Sequence, residues 1–386
     1  MPQVTPPTAE DLAHALQQAA ASNSTITLIG NDSKRLMAGP PTKADVVITT
    51  TGLTRVLQYE PHDLTISVEA GMPFAVLQDL LARERQMIAL DPPFWHSATV
   101  GGVIAANASG PMRRAFGTAR DLVIGMRFAT LGGKIVTAGG MVVKDVAGLD
   151  MGKLMIGSFG TLAAIVSINF RVHPLPEKTE TFLYACADVD EALTKRDWIL
   201  RSVLKPWAIT LISPVAAMRI GFRGMILAIR AAGSCNILAR YAKDLEGANR
   251  LRGEEELNWW KQIRDFTPDF LRRNPGGIVL KVSTTLTGLH ELLRLTSGAS
   301  ISHAASGVTH VYLSSWNGVV PLWRAAAEKG WSMVIEFAPD EIRAEKELWL
   351  VRSNEAVMSA FGIMKRVKAM FDPGNVLNRL RLYGRI

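Results

Sequence analysis

Residues 99–111, TVGGVIAANASGP, constrain the fold more than any other stretch of the chain. They gather Gly101, Gly102 and Gly110 with Ala105, Ala106 and Ala108 around a few branched apolar residues, and Arg113 and Arg114 follow at once. Glycine costs backbone entropy, so such a cluster marks a sharp turn or a close approach of the backbone to a neighbour. That neighbour is either another backbone or a ligand. Two more glycine-bearing segments share the first half, IGNDSK at 29–34 and GSFGTLAAIV at 157–166. None of the three is a GxGxxG opening a helix after the first strand, and none is a P-loop, so the ordinary dinucleotide and nucleoside-triphosphate fingerprints are missing. Consecutive backbone N–H groups in such turns can hold an anion, and small side chains let a flat ring lie against the backbone.

The segments between these loops alternate in type. TAEDLAHALQQAAAS puts Leu12, Leu16 and Ala19 on one helical face, with Thr8 as N-cap and Glu10 and Asp11 in the first turn. STITLIG and DLTISVEAG read as strands, the latter with Leu64, Ile66 and Val68 on one side. Pro73 fits the first position of a helix over PFAVLQDLLARER. Gly132-Gly133 between DLVIGMRFAT and KIVTAGG signals a hairpin, and TLAAIVSINFRV reads as a buried strand. HPLPEKTE is the best linker. Beyond it, strands such as MILAIRAAG, GGIVLKVST, HVYLSSW and WSMVIEF alternate with amphipathic helices, which predicts a separate α/β layer. ELWLVRSNEAVMSAFGIMKRVKAMFDP reads as one long helix whose Leu348, Val351, Met358 and Phe361 need a partner surface.

Composition narrows the class. With 386 residues, 48% of them hydrophobic, the chain can bury a large core in two or three domains. Lysine and arginine exceed aspartate and glutamate by 8, but the charges are scattered and no nucleic-acid motif accompanies them, so a solubilising surface is the expectation. Cys186 and Cys235 are too few for a disulfide framework or an iron–sulfur site. No signal-peptide pattern opens the sequence and no apolar run reaches a membrane span, so a reduced, cytoplasmic setting is expected. No His, Cys, Asp and Glu spacing predicts a metal.

Taken in order, these loops and strands, ending in GGMVVKDVAGLDMGKLMIGSFGTLAAIVSINFRVHPLP, resemble the PCMH-type FAD-binding domain of the vanillyl-alcohol oxidase superfamily. Within it, GGMVVKDVAGLDMGKLMIGSFGTL is similar to the FAD-binding subunits of bacterial glycolate oxidases. The resemblance is close over residues 24–176 and collinear beyond. It implies an α+β fold with a two-subdomain FAD-binding domain at 1–176, a smaller α/β cap domain at 177–344, and a helical segment at 345–386 returning to the FAD domain. The small residues then make room for a flavin.

The resemblance also assigns roles. Gly30, Asn31, Asp32, Ser33 and Lys34 stand at the first pyrophosphate loop, where the family is richer in glycine. Thr99, Gly101, Gly102, Asn107, Ser109 and Gly110 match the second, against pyrophosphate and isoalloxazine. Gly157, Gly160 and Thr161 match the loop after KLM, and Ile165 and Val166 offer backbone groups to a ring edge. Neither of the first two loops carries a His or Cys for covalent attachment; His96 is the nearest, so noncovalent FAD is expected.

Flavin oxidation of a 2-hydroxy acid needs a cation for the carboxylate and a base for the hydroxyl proton. Arg113, Arg114, Arg120 and Lys144 are the cations near the loops, and His303 and His310 the candidate bases. The implied function is that of an FAD-binding subunit in a glycolate oxidase-like complex, completed by a second FAD-binding subunit and an iron–sulfur subunit, at the inner face of the membrane through those partners. A self-sufficient FAD-dependent D-2-hydroxy-acid dehydrogenase and a flavin-free structural subunit are the alternatives. The family's late GGHAT-like segment corresponds here to VIEFAPDEI, with Phe337 near the histidine's place, and its Asn-Pro-Gly-Arg ending to GNVLNRLRLYG, with Asn378 and a displaced Arg379 or Arg381. Phenylalanine neither accepts a proton nor binds a carboxylate, so the isolated chain is expected to bind FAD yet oxidise glycolate or D-lactate poorly.

Overall fold

The structure, a computed structural model, describes residues 2–141, 150–350 and 355–386, with side chains in the last helix from residue 360. Two sheets form the first half. The smaller is parallel, in the order Gln3–Val4, Val46–Thr49, Ile26–Ile29. Helix Ala9–Ala21 covers it, burying Leu12 and Leu16 against Ile26 and Ile48. Thr8 caps this helix, its hydroxyl accepting from the Asp11 N–H at 3.1 Å.

The second sheet has five antiparallel strands, Val56–Glu60, Thr65–Glu69, Ala164–Arg171, Val123–Ala129 and Ile135–Gly139. The hairpin joining the last two turns at Gly133, whose φ of 75° glycine adopts without strain. Helix Phe74–Arg83 buries Phe74, Leu77 and Leu81 in the same core. Pro73 sits just ahead of this helix rather than at its first residue, one position from the sequence expectation.

Residues 178–337 build an eight-stranded sheet. Its order is Asn249–Arg252, Lys178–Cys186, Met225–Gly233, Ala208–Ile212, Ala299–His303, Val308–Leu313, Ile278–Ser283, Ser332–Phe337. Every neighbouring pair is antiparallel. Strand–helix alternation had suggested an α/β layer, but alternation does not fix strand direction. Helices Val189–Arg201, Cys235–Asp244, Gly288–Leu295 and Val319–Lys329 pack on one face. On the other face, Gly253–Arg264 and Phe266–Arg273 cover part of the sheet, and Met37, Ala38, Phe94 and Phe159 from the first half meet the rest. The last strand carries a bulge: Val279 pairs with Phe337 and Leu280 with Ile335, which leaves Glu336 as the extra residue.

The tail is not one helix. Leu348 accepts from the Ile335 N–H and Leu350 donates to the Met333 carbonyl, so this stretch extends the sheet edge. Leu348 is buried in the eight-stranded sheet's core, not against the first half. Among the described residues of this stretch the helix is Glu355–Phe371, and its Val367 and Phe371 pack on the five-stranded sheet's core. Val351 and the side chain of Met358 lie outside the described residues.

Candidate functional site

The three small-residue loops converge. Asn31 Nδ2 donates to the Ser97 carbonyl at 3.0 Å, which ties the first loop to the second. The N–H groups of Gly157 and Phe159 donate to the Ile104 and Ala105 carbonyls, which ties the third to the end of helix Val100–Ala105. Asn378 then clamps the assembly. Its side chain accepts from the Leu28 N–H at 2.7 Å and donates to the Leu28 and Phe159 carbonyls. Between them runs an open cleft lined by Gly30, Asn31, Asp32, Ser33, Lys34, Thr99, Gly101, Gly102, Gly160 and Ile165, with Asn378 and Arg381 at its side.

The cleft is built for close approach. A Cβ on Gly30 would come within 2.2 Å of Thr99 Oγ1, whereas one on Gly102 would meet only that oxygen, at 3.1 Å, and otherwise open space. Asp32 adopts φ 48°. Among the described residues, the backbone N–H groups of residues 31–34 have no acceptor within the protein. Four successive free donors around a left-handed residue make a concave seat for an anion. Burial raises the Asp32 carboxyl above its usual range, against the lowering effect of Arg381 and Arg35.

A second, smaller cavity opens on the far side of Lys34 and Met37, which line both. It receives Ser109 and Gly110 from the second loop and Asp91 just before it, and His303, His310, Lys281, Tyr312, Glu336 and Phe337 from the eight-stranded sheet. The bulge turns both Glu336 and Phe337 toward this cavity, a device that re-aims a side chain next to a site. His310 Nε2 stands 3.3 Å and Lys281 Nζ 3.8 Å from the Glu336 carboxylate. The rings of His303 and His310 are 5.6 Å apart.

Electrostatics distinguish these groups. Burial alone would raise Glu336, but the facing His310, Lys281 and Lys34 charges outweigh it and hold the carboxyl near 2. His303 is driven well below its ordinary value by burial and by the neighbouring charges of His310, Arg113 and Lys281, so it is neutral at pH 7. Burial also pushes Lys34 down to about 8 and Asp91 up to about 6. Lys34 Nζ, Asp91 Oδ1 and His303 Nδ1 are buried without a hydrogen-bond partner.

Other residues singled out in the sequence stand elsewhere. Asn107, at φ 46°, lines neither cavity, and its Oδ1 is buried without a partner. A Cβ on Gly157 would meet Asn107 Cβ at 3.4 Å. Thr161 turns inward to the Ser158 carbonyl, and Val166 is core, its carbonyl accepting from Ala70. Arg114 donates to the Ala305 carbonyl and Arg120 to that of Lys153. His96 is exposed and lines neither cavity. Lys144 lies outside the described residues. The sequence reading missed Asp91, Lys281 and Glu336. A lone Asp before Pro-Pro and two single charges within strands give no local signal, since they meet only through the fold.

A family model described as an FAD binding domain matches residues 3–139. This segment is an FAD-binding domain. The glycolate oxidase subunit GlcE of Escherichia coli is 27% identical over 66% of this chain and 67% of its own length. The glycolate oxidase subunit GlcD of Bacillus subtilis is 30% identical over 39% of this chain, and the D-lactate dehydrogenase of Archaeoglobus fulgidus 29% over 44%. The chain spans only about a third of the lengths of those two relatives, 32% and 38%. Among solved structures, alkyldihydroxyacetonephosphate synthase aligns with a TM-score of 0.72 over 98% of this chain and 75% of the other, at 16% identity. The 4-ethylphenol oxidase from Gulosibacter chungangensis gives 0.73 over 98% and 88%, at 15%. The fold is thus α+β, of the PCMH-type FAD-binding kind, and the chain's class is FAD-dependent oxidoreductase. The domain's own geometry fits FAD. The free N–H groups of residues 31–34 suit a pyrophosphate, and the open side of Gly102 leaves space for a flat group.

Proposed function

We propose that this chain is the FAD-binding subunit of a glycolate oxidase-like complex acting on small 2-hydroxy acids, with FAD held noncovalently. The observation that carries this reading is the pairing of the two cavities across Lys34. The first has an anion seat and small-residue walls; the second gathers cations and histidines around the buried Glu336. Bound FAD supplies a two-electron acceptor for a carbon held beside its ring. The residues supply the rest. Residues 30–34 and Gly101–Gly102 hold the pyrophosphate, and Ile165 stands at the cleft wall for a ring edge. Neutral His303, with Nδ1 unpartnered, is the acceptor for a hydroxyl proton, and His310 is oriented by Glu336.

The same reading divides the chain near residue 176, between the short strand His173–Pro174 and strand Lys178–Cys186. Similarity to two glycolate oxidase subunits supports assembly with a second FAD-binding subunit and an iron–sulfur subunit. No helix among the described residues is long and apolar enough to cross a membrane, so in this reading any membrane association runs through partners. A self-sufficient D-2-hydroxy-acid dehydrogenase is the second reading, and the gathering of His303, His310 and Glu336 in one pocket favours it.

Mild affinity purification followed by anaerobic mixing tests both. The first reading expects yellow protein, flavin released by acid, co-purifying subunits and slow bleaching of the isolated chain. Rapid and complete bleaching by the chain alone promotes the second. Colourless protein that takes up no FAD refutes both.

A further inference from the structure

We propose that the side chain of Lys34 is the carboxylate anchor of the second cavity and selects small 2-hydroxy acids over neutral alcohols. This rests on the 2-hydroxy-acid reading above and adds a role to a residue so far considered only for its backbone. The Lys34 N–H belongs to the anion seat of the cleft, but the side chain leads away from it. Residues 36–38 are fixed to the bulged strand: Ala38 N donates to the Glu336 carbonyl at 2.9 Å and Ala338 N to that of Leu36 at 3.2 Å. That docking carries the lysine into the wall between the cavities, beside Glu336.

There the ammonium is buried and has no hydrogen-bond partner. A buried, unpaired ammonium is strongly disfavoured, so a protein that keeps one has a use for it. Glu336 relieves it only in part: its charge favours the protonated lysine, but its carboxylate is shared with His310 at 3.3 Å and Lys281 at 3.8 Å and makes no hydrogen bond to Nζ. The near wall is apolar, with the Phe94 ring 5.8 Å from Nζ and Met37 and Phe337 beside it. A small carboxylate entering the pocket supplies the missing acceptor. A neutral alcohol leaves the ammonium unpaired and is rejected for that reason.

The test uses the flavin-loaded protein and oxalate, a carboxylate with no α-hydrogen to lose, whose binding is followed by calorimetry and by the change in flavin absorbance. Lys34→Met should keep its flavin and bind oxalate about 10- to 100-fold more weakly. Glu336→Gln, which removes the competing carboxylate, should bind oxalate more tightly. In the parent protein, oxalate affinity should fade as pH rises past about 8, where Lys34 loses its proton, and this fade should vanish in Lys34→Met. The groups facing the ammonium are Glu336, His310, Lys281, His303, Tyr312, Arg264 and Asp91 across the pocket and Arg381 behind the loop. Unchanged oxalate affinity in Lys34→Met, in a parent that 2-hydroxy acids do reduce, overturns the anchor alone. Loss of flavin from Lys34→Met overturns it too, by giving the lysine to the cofactor. A parent protein that neither binds oxalate nor is reduced by any 2-hydroxy acid overturns the functional reading and the anchor together.

Discussion

Lys368→Met probes how the tail holds the cofactor cleft together. Lys368 Nζ donates to the Thr161 carbonyl at 2.8 Å, to the Leu377 carbonyl at 2.8 Å and to Asp372 Oδ2 at 2.6 Å. Asp372 in turn accepts from the Val376 and Leu377 N–H groups at 2.9 and 2.8 Å. Both side chains are almost fully shielded, at 8% and 0% exposure. Removing one partner of a buried pair costs about 3–5 kcal/mol, because the other charge stays buried. Asp372 keeps two backbone donors, which places the cost at the low end, about 3 kcal/mol. For a domain of this size that is roughly 6–12 °C in melting temperature. Thermal denaturation with and without added FAD measures it. The variant should also retain flavin poorly, since Thr161 adjoins Gly160 and Leu377 adjoins Asn378, both at the cleft. Adding Asp372→Asn should recover part of the loss, as a coupled pair requires. A single variant that melts within about 1 kcal/mol of the parent refutes the reasoning.

Three further outcomes are expected. Gly102→Val places a branched side chain in the open side of the cleft, so flavin retention should be abolished with far-UV helicity intact; full occupancy in that variant contradicts the assignment of this loop. Asn378→Ala removes the contacts to Leu28 and Phe159 and should cost about 2–3 kcal/mol at roughly 1 kcal/mol per hydrogen bond, read by urea unfolding. Asp91 is raised from 3.8 to about 6 by burial, so folding favours its protonated form. Stability should therefore fall by up to about 3 kcal/mol as pH rises from 4 to 6 and stay lower above, and Asp91→Asn should flatten that slope in a pH series of melting curves.

The small-residue cleft was legible because it is made of local features. Gly30, Gly101 and Gly160 declare a crowded backbone by their lack of a side chain, Gly102 leaves open space beside them, and strand periodicity places all four at neighbouring loop ends. The hairpin at Gly133 and the cap at Thr8 were legible for the same reason. The second cavity was not, because its members meet only through pairing. His310 and Lys281 lie on strands that face each other in register, and Glu336 reaches them through a bulge of one residue. Hydrophobic periodicity carries no record of a bulge. Read without it, strict alternation sends Glu336 and Phe337 to opposite faces. The tail misled for a related reason: Leu348 fits a helical stripe with Val351 and Met358, and only the free edge of strand Ser332–Phe337 draws Leu348 and Leu350 into extended pairing.

That bulge bears on the expectation of weak catalysis. Phe337 near the place of a family histidine argued that the chain has no proton acceptor late in the cap. The structure surrounds that phenylalanine with alternatives. Glu336 precedes it in the same cavity, and His303 lies there neutral, with a ring nitrogen free. Glu336 itself is a poor base, since its carboxyl is held near 2 by the cations about it. Its value is electrostatic: it offsets Lys281 and His310, and so limits the positive field that would otherwise oppose a proton on His303. His303 thus has the chemistry Phe337 lacks, but its depth makes protonation costly unless the incoming substrate brings negative charge. A carboxylate resting on Lys34 would supply that charge, so substrate binding and proton acceptance are coupled in this pocket. His303→Gln should then slow anaerobic bleaching by about 100-fold or more while leaving oxalate affinity within a few-fold of the parent. Equal bleaching rates in the two proteins would remove His303 from the chemistry and return the weak-turnover expectation to force.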